Sequence, residues 1–200
     1  MERHIMAQKI VILTSSPRKH GNTNTVTQWV IEGARAAGAT VDCVDVANLK
    51  HKHNGCIACF GCQQSEKYEC VVEDETADLL KRLLDYETMV FATPVFFFGP
   101  NAQLKLVLDR MLSHVKFDAE TGEPRLAVQG GTIGLIATAG GEENDGLNLT
   151  DQTFRTMAQF GHSRYKSLLV PKSPSDPQEL AANTELKEKA LAFGKVLVNE

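Results

Sequence analysis

The stretch Lys9-Ile10-Val11-Ile12-Leu13-Thr14-Ser15-Ser16-Pro17-Arg18-Lys19-His20-Gly21-Asn22-Thr23-Asn24-Thr25 decides the fold class. Its first six residues form a near-continuous apolar run, broken abruptly by hydroxyls and a proline, which is the pattern of a strand buried on both faces. A helix follows over residues 23–37, with Val26, Val30, Ala34 and Ala37 at helical spacing and Gly38 placed to end it. A buried strand, a polar loop and an amphipathic helix make the opening half of a βαβ unit.

The rest of the chain repeats that alternation. Residues 40–46 (TVDCVDV) alternate polar and apolar, as a strand nearer a sheet edge does, and residues 88–93, 132–138 and 165–170 supply three further strands. Helices are predicted over 74–84, 102–115, 151–160 and 176–198. In the second of these, Leu104, Val107, Leu108, Met111, Leu112 and Val115 follow the i, i+3, i+4, i+7 template, and the last carries Leu186, Ala190, Phe193 and Leu197 inward. Five strands alternating with five helices predict an α/β protein with a five-stranded, doubly wound parallel sheet and helices on both faces. With no Pro/Ser-rich linker, repeat or low-complexity tract, residues 1–200 read as a single domain carrying a cysteine-rich insertion at about 48–73.

Composition narrows the function classes. In 200 residues, 21 Lys and Arg against 25 Asp and Glu give a formal charge of −4, so the basic footprint expected of a nucleic-acid partner is missing. The 42% apolar and 23% charged content are those of an ordinary folded protein. No apolar run approaches the roughly 18 to 20 residues of a membrane span. Residues 1–6 lack the apolar core and small-residue cleavage site of an export signal, so a cytoplasmic location is expected.

Ligands of open α/β sheets bind outside the carboxyl ends of the strands, so the loops after the first, third and fourth strands carry the argument. The first, Ser15 through Thr25, packs hydroxyls and amides between a buried strand and a helix N-terminus. A phosphate there would meet free backbone N–H groups, the positive end of a helix dipole and the charge of Arg18. The loop has neither the Gly-Lys-Ser/Thr ending of a nucleotide-triphosphate loop nor the G-x-G-x-x-G of a dinucleotide fold. The plainer alternative is that these residues only cap a helix and turn a loop. The second loop, residues 93–101 (TPVFFFGPN), sets three aromatics between two prolines, which suits a planar ring or, equally, an apolar plug. The third, residues 139–146, has glycines that let backbone amides approach a ligand.

Together, SSPRKHGNTNT, TPVFFFG, the following Leu104-Lys105 and Leu108-Asp109-Arg110, and ATAGG resemble the NADPH-dependent FMN reductase family of flavodoxin-like proteins. The resemblance runs from about Lys9 to Val170. It implies that Ser15, Pro17, Arg18, Asn22, Thr23, Asn24 and Thr25 surround an FMN phosphate. It likewise implies that Pro94, Val95, Phe96 and Phe97 border the ring, with Thr138, Ala139, Gly140 and Gly141 closing its other edge. Lys105, Asp109 and Arg110 match a recurrent pattern read as structural or as part of a subunit interface. Many relatives carry Tyr in the second loop where this chain has Phe96, so a hydroxyl contact is lost while the ring remains. Relatives are commonly homodimers or homotetramers.

Four of the five cysteines, Cys56, Cys59, Cys62 and Cys70, give C-x2-C-x2-C-x7-C within the irregular segment. Three thiolates two residues apart can wrap one [4Fe-4S] cubane, with the fourth ligand returning from a short loop. The segment looks most like the iron-sulfur flavoprotein branch of the family, although Val71 stands where the bacterial ferredoxin run has Pro. Unligated thiols, structural zinc or a disulfide are the competing readings. Cys43 reads as a small buried hydrophobe and Trp29 as packing. The pair His51 and His53 reads as solvated, and Glu73-Asp74-Glu75 as the first turn of a helix.

The function expected is an FMN-dependent oxidoreductase in which no side chain is catalytic in its own right, because the flavin carries the chemistry. Electrons would pass from NAD(P)H or a reduced donor to a small acceptor such as a flavin or quinone or, through a cluster, to a one-electron acceptor. The alternative is a non-enzymatic flavin-binding electron carrier or redox sensor. A hydrolase of this topology would need a nucleophile elbow that the chain lacks.

Overall fold

The protein is described here by a computed structural model covering residues 7–198; the reading of residues 1–6 lies outside the described residues. The opening stretch forms strand β1 (Lys9–Thr14) and helix α1 (Asn22–Ala36). Side chains of β1 alternate between two cores, Val11 and Leu13 entering one and Ile10 and Ile12 the other, which is why the run is apolar at nearly every position. Strands β2 (Thr40–Asp45), β3 (Thr88–Phe96), β4 (Thr132–Thr138) and β5 (Arg164–Val170) join β1 in parallel. Their order is β2-β1-β3-β4-β5, the expected flavodoxin-like arrangement with its reversal between β1 and β3.

Helix α1 lies on one face with α5 (Pro177–Ala181) and α6 (Thr184–Val196), burying Val26, Trp29, Val30 and Ala190. Helices α2 (Glu75–Leu83), α3 (Ala102–Leu108) and α4 (Asn148–Phe160) cover the other face around Phe91, Leu104 and Phe154. Two glycines set the approach of α1 to α6: a Cβ on Gly33 would lie 2.1 Å from the Leu191 oxygen, and one on Gly194 2.2 Å from the Val30 oxygen. Gly38, at φ +93°, ends α1 by the expected left-handed turn, with Gly38 N donating to Arg35 O and Ala39 N to Ala34 O.

Three expectations are corrected. The predicted helix 102–115 is α-helical only to Leu108; Asp109–His114 tightens to three residues per turn, stacking Arg110 and Ser113 inward and letting His114 Nε2 donate to Leu80 O at 2.9 Å. Val115–Phe117 then leaves as a short strand paired with Pro124–Leu126. The predicted helix 176–198 is two helices, because Asn183 Oδ1 accepts the Leu186 N–H at 2.9 Å and caps a fresh start. Cys43 is exposed, since β2 is the sheet edge.

Candidate functional site: a four-loop cleft and a cysteine arm

The first loop leads into a helix N-terminus that no side chain caps. Gly21 caps α1 without a side-chain hydrogen bond, so the N–H groups of Asn22, Thr23 and Asn24 have no capping side chain to take them. A Cβ on Gly21 would come within 2.9 Å of Arg18 Cβ, which is why this tight return carries glycine. Asn22 Nδ2 donates to the Pro174 oxygen at 2.7 Å, while its Oδ1 is buried without a partner. A buried acceptor left open at the mouth of an uncapped helix fits a phosphate-bearing ligand that also carries hydroxyl donors, as FMN does.

Buried polar contacts hold the loops in register. Thr23 and Thr138 hydroxyls meet at 2.7 Å, joining α1 to the end of β4. Asn101 Nδ2 donates to Ser15 O at 2.6 Å, and Asn101 Oδ1 accepts from Thr93 Oγ1 and from the Leu104 N–H at the start of α3. A fourth loop, after β5, is pinned by Ser173 N donating to Ala139 O at 2.8 Å.

These contacts leave a cleft of about 200 Å³ at the carboxyl ends of the strands. Of the residues singled out from sequence, Arg18, Asn22, Thr23, Pro94, Val95, Phe96, Thr138, Ala139 and Gly140 line it together. Ser15 is fully buried behind it, its Oγ donating to Ala92 O at 3.0 Å. Pro17 is exposed on the loop. Asn24 accepts from Thr14 Oγ1 and donates to Arg18 O and Lys19 O, and Thr25 Oγ1 donates to Gly21 O, so both shape the loop from outside the lining. Gly141 accepts from Lys172 N at the rim. Ser16, Ser173, Pro174 and Ser175 line the cleft and were not foreseen as a group. The Ser- and Pro-rich run Lys172 to Ser175 after a fifth strand was the signal available.

The second loop is a hairpin. Strand β3 continues through Phe96, reverses at Phe97 (φ +47°) and Phe98 (φ +71°), and pairs back through Gly99 and Pro100. A two-residue reversal with both central φ positive normally uses Asn-Gly; two phenylalanines there carry strain. Phe97 is 96% exposed, its ring meeting that of Phe98 edge-on with centroids 5.2 Å apart. Phe98 rests on Gly146 (φ +109°) of the third loop, where a Cβ would fall 2.6 Å from Phe98 Cα.

The cysteine segment packs beside α2 and the end of α3. Cys56, Cys59, Cys62 and Cys70 all line one small cavity of about 20 Å³. Cys62 is buried and Cys70 half-buried, whereas Cys56 and Cys59 are exposed. As the side chains stand, no three His, Cys, Asp or Glu among the described residues are grouped to hold a metal ion. The inner pair is flanked by buried cations: Lys116 Nζ donates to Cys62 O, and Arg110 Nη2 donates to Cys70 Sγ at 3.3 Å. Such an environment fits an anionic thiolate-bound group.

Asp74, the cap of α2, is the counter-charge. Burial pushes its pKa up, but hydrogen bonds from Arg110 and from the N–H groups of Lys52 and Ala77 outweigh that and hold it at about 2. A further cavity of about 420 Å³, lined by Met89, Met111, Ile133 and Met157 among others, lies at the amino ends of the strands and gathers none of these groups.

The sequence profile of the NADPH-dependent FMN reductases matches residues 8–170. The chain belongs to that family. Among relatives of this FMN reductase family member, an iron-sulfur flavoprotein of Methanosarcina thermophila is 26% identical over 147 residues, covering 72% of this chain and 70% of the relative. One from Methanocaldococcus jannaschii is 28% identical over 102 residues, 51% of each chain, and one from Archaeoglobus fulgidus 30% identical over 106 residues, 53% of this chain and 46% of the relative. The chain thus spans about half the length of the last two. The fold is shared with an azoreductase of Bacillus anthracis (TM-score 0.72, 16% identity, 94% and 99% of the two chains). It is also shared with an NAD(P)H:quinone oxidoreductase of Methanothermobacter marburgensis (TM-score 0.71, 14% identity, 98% and 99%). Among the described residues no helix is long and apolar enough to cross a membrane.

Proposed function

We propose that the protein is an FMN-dependent oxidoreductase that takes electrons from NAD(P)H or a reduced donor and delivers them to a small acceptor such as a flavin or quinone. The observation that carries this reading is the convergence of four loops on one cleft whose floor is the uncapped N-terminus of α1 and whose wall is the Phe96 hairpin. Bound FMN supplies hydride acceptance and both one- and two-electron release. The chain's own groups bind and orient it: backbone N–H groups of Asn22 to Asn24 with Arg18 take the phosphate, Asn22 Oδ1 accepts a hydroxyl, and Pro94, Val95 and Phe96 flank the ring. Residues 1–200 act in this reading as one domain with the cysteine segment inserted.

Cys56, Cys59, Cys62 and Cys70 hold a [4Fe-4S] cluster in the same reading, which supplies one-electron transfer to a further acceptor. The iron-sulfur flavoproteins among the relatives and the two buried cations beside Cys62 and Cys70 support it. In the same reading the apolar Phe96 to Phe98 surface and the face carrying Met111 and Leu112 serve self-association as a homodimer or homotetramer.

The deciding experiment is an absorption spectrum of protein purified without oxygen, with iron and acid-labile sulfide assayed on the same sample and NADPH oxidation followed with a quinone. Flavin bands and quinone-dependent NADPH turnover are expected, with about four irons per chain. Flavin without turnover leaves an electron carrier, flavin without iron leaves the cysteines as free thiols, and no flavin after adding FMN overturns the proposal.

A further inference from the structure

The two arms of the cysteine segment are fastened at one buried point. Arg110 Nη1 lies 2.8 and 2.7 Å from the two carboxylate oxygens of Asp74, and the two side chains are 1% and 6% exposed. Asp74 Oδ2 also accepts the Lys52 N–H from the arm entering the segment, and its Oδ1 accepts the Ala77 N–H of α2. Arg110 Nη2 donates to Val72 O at 2.8 Å and to Cys70 Sγ at 3.3 Å on the arm leaving it. Surface ion pairs need no such burial, and burying a guanidinium is costly unless its donors are used.

One donor is not used. Arg110 Nε–H is buried with no hydrogen-bond partner, and Arg110 is among the residues lining the cavity shared by the four cysteines. An orphaned cationic N–H at the wall of a thiol-lined cavity calls for an acceptor that arrives with the ligand. The acceptor chemistry available at four thiols is anionic sulfur, either a ligated thiolate or a bridging sulfide.

We infer that Arg110 is the positioning and charge-compensating residue of the four-cysteine site, holding Cys70 in place through Nη2 and donating Nε–H to an anionic sulfur of the bound group. This rests on the cluster reading above and adds to it a residue outside the ligand set. Two consequences follow from hydrogen-bond chemistry. Loss of the donor loosens the bound iron, because outer partners of metal ligands contribute substantially to retention. It also disfavours the reduced cluster, which carries one more negative charge, so the midpoint potential moves to a more negative value.

The test uses Arg110→Lys, which keeps a positive charge near Asp74 and lacks Nε, alongside the pair Asp74→Asn with Arg110→Met, which keeps a capping side chain on α2 and leaves no uncompensated charge. Wild type and variants are reconstituted with iron and sulfide without oxygen, and bound FMN per chain reports folding. Iron release to a chelator at least about tenfold faster than wild type, with a more negative cluster potential, is the expected result in whichever variant folds. Wild-type rates and potential in a folded variant overturn the inference and leave the cluster reading standing. Absence of iron from reconstituted wild type overturns the cluster reading itself and the inference with it.

Discussion

Asn101 Nδ2 donates to the main-chain oxygen of Ser15 at 2.6 Å, tying the hairpin loop to the first loop across 86 positions of sequence. The same side chain takes the Thr93 hydroxyl and caps α3, so one buried amide fixes three elements around the cleft. Asn101→Ala strands the Ser15 oxygen and uncaps the helix. It is expected to cost about 3 kcal/mol in urea unfolding. FMN affinity, followed by quenching of flavin fluorescence, should fall about tenfold or more, since a loop displaced by even an ångström loses aligned donors.

Gly146 is the seat of the aromatic hairpin. Its φ of +109° and the 2.6 Å approach of a Cβ to Phe98 Cα leave no room for a side chain, and the obstacle is backbone. Gly146→Ala should destabilise by about 2 kcal/mol or more. Gly140→Ala, at a rim position where the nearest atom to a Cβ is 4.0 Å away, should cost little stability; denaturation of the two variants side by side checks the contrast.

Phe97 and Phe98 occupy a reversal suited to Asn and Gly. Phe97→Asn with Phe98→Gly should stabilise the fold by about 1 to 2 kcal/mol through relief of left-handed strain. If the exposed rings serve the acceptor, KM for a quinone rises while KM for NADPH holds. A thermal melt and steady-state kinetics on the double variant measure both.

Asp74 gives acid sensitivity a definite sign. Its folded pKa of about 2 lies below the ordinary carboxylate value near 3.9, so its stabilising contribution is complete above about pH 5 and is lost as pH falls through 4 toward 2. The contribution is about 2 kcal/mol. Asp74→Asn should therefore be less stable than wild type at pH 6, with most of that gap, about 1.5 kcal/mol, closed by pH 2.5 in urea unfolding.

Much of the cleft was legible because it is local. A strand that runs out into hydroxyls, amides and a helix start marks a candidate binding loop, and nine residues singled out across the three loops meet at the cleft. The fourth loop escaped because Ser173 and Pro174 matter only through contacts with Ala139 and Asn22, which no periodicity encodes. The apolar spacing over 102–115 is satisfied by both the α-helical and the tighter winding. What separates them is the demand of Arg110 and His114 for Asp74 and Leu80, partners on another helix.

The sequence by itself determined the strand and helix alternation, the parallel sheet buried on both faces, and the spacing of the four cysteines. These depend on apolar periodicity and on residue types a few positions apart. Only the tertiary structure decided that Arg110 stands beside Cys70, that Asp74 fastens both arms of the cysteine segment, and that the aromatic second loop is a strained hairpin seated on Gly146. Hydrogen bonds and close approaches between residues tens of positions apart arise when elements pack, and a charged or small residue carries no mark in sequence of the partner it will meet.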